Sequence, residues 1–245
     1  MSEFKLPTEM VELPSKGLLY PEGNPLREGK IEMKYMTAKE EDILTNQNYI
    51  KQGVVIDKLL QSLVVTKINY NDLFIGDKNA LMIAARILSY GASYEFEYKG
   101  VRQNVDLSEI NSKPLHPLVQ KSTSNNFEFT LPNSGNVLSF RLLTHGDEAK
   151  IDAEVKGLQK INKEATSEVT VRLFHMITAV NGSGDTKDIR DFVNNYFLAK
   201  DARAFRQFYN EVSPDLDMTV SLTTPDGGEE DVDLPVGINF FWPDA

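Results

Sequence analysis

The spacing of apolar residues changes period along this chain, and that change confines it to a mixture of helix and antiparallel strand. Ile31, Met33 and Tyr35 alternate with polar neighbours, the period of a half-buried strand. Thr37-Ala38-Lys39-Glu40 then spells a capping box, in which the Thr hydroxyl caps a helix and the Glu three residues on returns the bond. It predicts a first helix to about Tyr49, broken near Gly53. Val54, Leu59, Leu60 and Leu63 mark a second, and Ala80, Leu81, Ala84, Ile87 and Leu88 a third that Asp77 should cap and Gly91 end.

After Gly91 the period returns to two. Tyr94, Phe96 and Tyr98, a Lys99-Gly100 turn, and Val101, Val105 and Leu107 predict a hairpin. Phe127 to Leu131, a Pro132 to Asn136 turn and Val137 to Leu142 predict another, across a polar connection at residues 108–125. Residues 92–143 read as one antiparallel sheet unit. Helix resumes from Asp147 to Lys163. Val169 to Val180 fits both periods and is assigned to helix. After an Asn181 to Asp185 loop, Asp185 or Thr186 caps a helix carrying Ile189, Phe192, Val193 and Tyr196; Asp201 starts another with Phe205, Phe208 and Tyr209, stopped at Ser213-Pro214. Met218, Val220 and Leu222, a Pro225 to Gly228 turn, and Val232 and Leu234 close the chain as a hairpin. No internal repeat is apparent. The fold class is therefore α+β: helical blocks with antiparallel hairpins and a C-terminal β-hairpin. Its segments are an extended arm (1–30), a strand, helical block and hairpins (31–143), a helical region (144–217), and an acidic hairpin with an aromatic tail (218–245).

The arm holds Pro7, Pro14, Pro21 and Pro25 with Gly17, Gly23 and Gly29 between them, which excludes a helix. Its apolar residues Val11, Leu13, Leu18, Leu19, Tyr20 and Leu26 must be covered by this chain's own core, the simpler reading, or by a partner.

Composition narrows the function. Acidic residues number 36 against 26 basic ones, a net charge of −10, and residues 213–245 hold eight Asp or Glu with no Lys or Arg. Phosphate backbones and anionic lipids are gripped by Lys and Arg, so neither nucleic acid nor membrane is an expected partner. The absence of cysteine excludes disulfides, thiolate metal sites and cysteine nucleophiles. No apolar run approaches the roughly 18 residues of a spanning helix, and Met1 to Pro7 lacks the apolar core of a signal peptide. A cytoplasmic protein is expected.

His116, His145 and His175 stand at no metal-motif spacing, no nucleophile elbow or phosphate loop occurs, and Asp226 to Asp233 lacks calcium-loop spacing. No catalytic residue, metal site or cofactor is therefore assigned, and an enzyme is not expected. What remains is surface. Leu13, Pro14, Leu18 and Tyr20 of the arm, and the terminal Phe240, Phe241 and Trp242, are the candidate partner-binding residues, since aromatic side chains concentrate in interfaces as well as in cores.

Three segments carry a resemblance: Glu12 to Pro21 (ELPSKGLLYP), Lys34 to Asn46 (KYMTAKEEDILTN) and Leu234 to Pro243 (LPVGINFFWP). Together with Arg190 to Asp217 they resemble the baseplate hub and hub-assembly proteins of T-even-type contractile-tailed bacteriophages. Some relatives carry a Cys-x-x-Cys-Gly knuckle in the last hairpin. Here Thr224 and Gly227 stand at the ligand positions, so zinc is not expected there. The resemblance implies a hub subunit that acts in hub assembly through contacts with other baseplate hub proteins, in the host cytoplasm during assembly and in the virion tail baseplate. A transient hub-assembly chaperone absent from the virion is the alternative, and a phage-encoded hydrolase the more distant one. Self-association is left open. The acidic terminal hairpin is expected to steer or guard a docking surface.

Overall fold

The computed structural model describes residues 6–161 and 168–241. Strand β1 (Thr8–Glu12) pairs antiparallel with β2 (Lys30–Lys34), Val11 opposite Ile31. Between them the Pro-rich segment turns back on itself and sets Leu13, Leu19, Tyr20 and Leu26 into the core. The N-terminal arm is thus built into this chain's own body. Its prolines and glycines stop helix and supply turns.

Helices α1 (Ala38–Leu44), α2 (Gln47–Gln52) and α3 (Val55–Leu63) follow. The Glu40 carboxylate accepts from the Thr37 amide at 3.0 Å, the return bond of the capping box, and also from the Thr37 hydroxyl at 2.6 Å. The expected first helix is split, because the Asn46 side chain accepts from the Asn48 and Tyr49 amides and caps α2 separately. Helix α4 (Ile75–Tyr90) is the central element. Asp77 does not cap it: Phe74 stands at that position in extended conformation, and Asp77 lies inside the first turn.

Residues 92–143 do not form a single sheet. Strands β3 (Ser93–Tyr98) and β4 (Val101–Asp106) make one hairpin; β5 (Phe127–Thr130) and β6 (Val137–Phe140) belong to a separate three-stranded sheet. The connection between them contains helix α5 (Pro117–Lys121), whose Val119 is buried. The third strand of the second sheet comes from the ambiguous stretch. Helix α7 (Glu168–Met176) follows α6 (His145–Ile161) in the described chain, and it changes directly to β7 (Ile177–Val180), antiparallel to β6. Both periods were present because both structures are. The predicted helix at 169–180 is correct only to Met176.

Helix α8 (Thr186–Asp191), capped by Asp185, runs into a π-helical turn at Phe192–Tyr196, and α9 (Ala199–Val212) follows. Strands β8 (Thr219–Thr223) and β9 (Glu229–Asp233) form the expected C-terminal hairpin, turned at Gly227 with φ +82°. One contiguous apolar core links these elements from Leu13 to Phe241, so the chain is α+β as its periodicity implies.

Candidate partner-docking cleft

The buried carboxylates among the described residues, Glu40, Asp77, Asp147 and Asp201, share one position. Each is the third residue of a helix: α1, α4, α6 and α9 respectively. A negative charge is favoured there by the free amides and the dipole of the helix start. Each carboxylate also takes donors from outside its helix, so each pins another segment to a helix end. Glu40 takes Lys34 at 2.8 Å. Asp77 takes the Ser15 amide at 2.9 Å, the Ser15 hydroxyl at 2.7 Å and the Tyr20 hydroxyl at 2.6 Å. Asp147 takes the Arg141 guanidinium through both oxygens, at 2.7 and 2.9 Å. Asp201 takes the Asn133 and Ser134 amides of the β5–β6 turn at 2.9 and 3.0 Å.

The protonation states follow the donors. Burial raises the Asp147 and Glu40 carboxyls, but Arg141 and Thr144 in one case, and Lys34 and Thr37 in the other, outweigh it and hold each at about 2. Asp77 has only neutral donors, so burial wins and its carboxyl is raised. Burial and the neighbouring Asp77 also push the Tyr20 hydroxyl well up, so it stays protonated and donating.

Two of these helix starts meet. Leu73-Phe74-Ile75-Gly76-Asp77 opens α4 and Leu143-Thr144-His145-Gly146-Asp147 opens α6, a shared Leu-x-x-Gly-Asp pattern. The two turns pair antiparallel through Phe74 and Thr144, with the His145 amide donating to the Leu73 carbonyl at 2.7 Å. In each turn a buried tyrosine hydroxyl accepts a backbone amide: Tyr20 from Phe74 at 3.0 Å, Tyr209 from Leu143 at 2.8 Å. Crowding requires the glycine at 76 and disfavours a side chain at 146. A Cβ on Gly76 would stand 2.0 Å from the Pro214 carbonyl oxygen, and one on Gly146 3.0 Å from Asn71.

Beside this junction lies a half-open cleft of about 360 Å³. Phe74, Leu142, Leu143, Met176 and Tyr209 line it with apolar surface, Pro214 walls one side, and Arg172, Arg206, Glu148 and Asp215 bring charge to it. A smaller hollow of about 80 Å³ shares Arg172, Met176 and Arg206 and extends the cleft to the exposed Val169. Arg172 is bound by both oxygens of Glu148. Arg206 is exposed, and no described acidic group lies within ion-pair distance of it. An apolar floor with a few oriented charges suits a protein segment that presents an apolar side chain beside a carboxylate.

The sequence candidates lie elsewhere. Leu13, Pro14 and Tyr20 are buried and Leu18 is half-buried; Phe240 and Phe241 are fully buried. Trp242 lies outside the described residues. Their apolar content is taken up by this chain's own core, the simpler of the two readings that the sequence left open. Tyr20 packs its ring on Phe74 at 4.6 Å between centroids, so it supports the cleft from behind. Phe240 is held by Arg86 of α4, whose Nε donates to its carbonyl at 2.9 Å, while its ring stands edge-on to Tyr94. The cleft residues Phe74, Leu143, Arg172, Met176, Arg206 and Tyr209 were not singled out from sequence. The Leu-x-x-Gly-Asp pattern at 73 and 143 is the sequence signal that marks their location.

The family described as T4 bacteriophage base plate protein matches residues 8–242, and the chain belongs to that family. It is therefore a bacteriophage baseplate protein, with a structural or assembly role exercised through other baseplate proteins. No curated protein and no solved structure matched the chain. Among the described residues no helix is long and apolar enough to cross a membrane.

Proposed function

We propose that this baseplate protein is a hub subunit of a contractile bacteriophage tail. It takes part in hub assembly by binding other baseplate hub proteins and turns over no substrate. It works in the host cytoplasm while the tail is built and remains in the virion baseplate. The observation that carries this reading is the cleft beside the two helix starts. Its floor is held rigid by buried tyrosine and aspartate tethers, and its rim presents Arg206 without a described partner. A preorganised floor lowers the ordering cost of binding. The net charge of −10 supports a protein partner over nucleic acid or membrane.

The test is co-purification with the hub proteins of the same phage, together with mass spectrometry of purified mature virions. Co-purification and presence in virions support a hub subunit. Co-purification without presence in virions transfers the reading to a transient assembly chaperone. Failure to co-purify, or clearing of cell wall on a zymogram, overturns the proposal.

A further inference from the structure

We infer that the hollow between β4 and β8 is a second docking site, which takes an extended Lys- or Arg-bearing segment of a partner protein along the outer edge of β8. The Leu234 amide donates to the Met218 carbonyl and the Thr224 amide to the Gly228 carbonyl, so Met218, Val220, Leu222 and Thr224 turn their backbone groups toward β9. By alternation, Thr219, Ser221 and Thr223 turn theirs away.

This chain itself occupies both ends of that outer edge. At one end the buried Gln103 side chain lies along Thr223 as a strand residue would, accepting its amide at 3.1 Å and donating to its carbonyl at 2.8 Å. At the other, the Asp217 amide donates to the Asn111 carbonyl and the Lys113 amide to the Asp215 carbonyl, both at 2.8 Å. Between these anchors the Thr219 amide donates to the Asp217 carboxylate at 3.3 Å. The Ser221 amide and carbonyl have no hydrogen-bond partner among the described residues. They border a hollow of about 440 Å³, within the size of sites that hold ligands.

Charge selects the occupant. Asp106, Glu109 and Asp217 line the hollow, and no described Lys or Arg does. Such a surface repels an acidic segment and attracts a basic one. Glu229, Asp231 and Asp233 of β9, all exposed, add to the same field. A metal ion does not fit the arrangement, because among the described residues no three carboxylates or imidazoles stand together as ligands. Charges spread along an edge match side chains spaced along a strand. Main-chain bonds to Ser221 supply affinity, and the basic side chains supply selectivity. The acidic hairpin thus borders a docking surface of its own. The hollow and the cleft share no lining residue, so the inference is independent of the hub proposal.

The test is titration calorimetry of the full chain with an end-blocked Arg-Val-Arg-Val-Arg peptide at about 50 mM salt, where surface charges are weakly screened. Wild type should bind with a dissociation constant below about 1 mM. Ser221→Pro removes an amide that the β8–β9 ladder does not use. It should weaken binding at least about tenfold, as should the double variant Glu109→Gln with Asp217→Asn, in which Asn keeps an acceptor for the Thr219 amide. Asp231→Asn with Asp233→Asn makes the same change of net charge on β9, outside the hollow, and should stay within about twofold of wild type. Absence of peptide binding by wild type, equal losses in the two double variants, or undiminished binding by Ser221→Pro would each overturn the inference.

Discussion

Tyr20→Phe isolates the tether that fixes the start of α4 and the floor of the cleft. The substitution keeps the ring that packs on Phe74 and removes only a hydroxyl, which donates to Asp77 at 2.6 Å and accepts from the Phe74 amide at 3.0 Å. A buried hydrogen bond contributes about 0.5–1.5 kcal/mol, and stranding a buried amide costs about 1–3 kcal/mol. The two losses share one atom and are not fully additive, so about 3 kcal/mol is expected. For a chain of this size, with a urea dependence of about 3 kcal/mol per molar, the unfolding midpoint should fall by about 1 M with the slope unchanged. Tyr209→Phe is the internal comparison. Its hydroxyl accepts one amide, from Leu143, so about 1–1.5 kcal/mol is expected. Equal shifts for the two variants, or a Tyr20→Phe shift below about 0.5 kcal/mol, would refute the idea that the hydroxyl bridges helix start and arm.

Three further consequences concern the same framework. Glu40 and Asp147 are held at about 2 against ordinary values of 4.5 and 3.8. Their stabilisation is full above about pH 4.5 and disappears as pH falls toward 2; with partial exposure of Lys34 and Arg141 screening the pairs, each is worth about 2 kcal/mol. Glu40→Gln and Asp147→Asn should each flatten the acid limb of stability against pH in urea titrations, and unchanged limbs would contradict the assignment. Gly76→Ala should destabilise strongly, since its Cβ meets the backbone of Pro214, whereas Gly157→Ala, in α6 with nothing within 4 Å, should stabilise by about 0.5–1 kcal/mol. Calorimetry that ranked the two alike would count against the crowding at Pro214. Arg86→Lys should lose contacts to the Phe240, Gly91 and Ser93 carbonyls and loosen the C-terminal segment, seen as faster limited proteolysis after Phe240 with α4 still protected.

The α+β class and the placement of most elements were legible because period alone encodes them: Tyr94, Phe96 and Tyr98 read as a strand and form one. Local chemistry was legible where donor and acceptor lie within three residues, as for Thr37 and Glu40. What escaped was long-range. Asp77 has the sequence context of a cap, yet its partners Ser15 and Tyr20 are 62 and 57 residues away. The pairing of β7 with β6 rests on register across the intervening helices α6 and α7, which a periodicity window does not sense. Whether the apolar arm and tail fill this chain's own core or face a partner stayed open, because burial of Leu13 or Phe240 depends on what folds over them. The cleft is assembled from α4, β6–α6, α7 and α9, and its only local trace is the pair of Leu-x-x-Gly-Asp turns.

The most direct test of partner docking in the cleft is the affinity of the chain for reconstituted baseplate hub proteins, measured by titration calorimetry for wild type and Arg206→Glu. Arg206 is exposed and makes no ion pair among the described residues, so the fold should survive its reversal. The account predicts at least about a tenfold loss of affinity, some 1.4 kcal/mol, from placing a like charge against the partner's carboxylate. Binding of Arg206→Glu indistinguishable from wild type would contradict it.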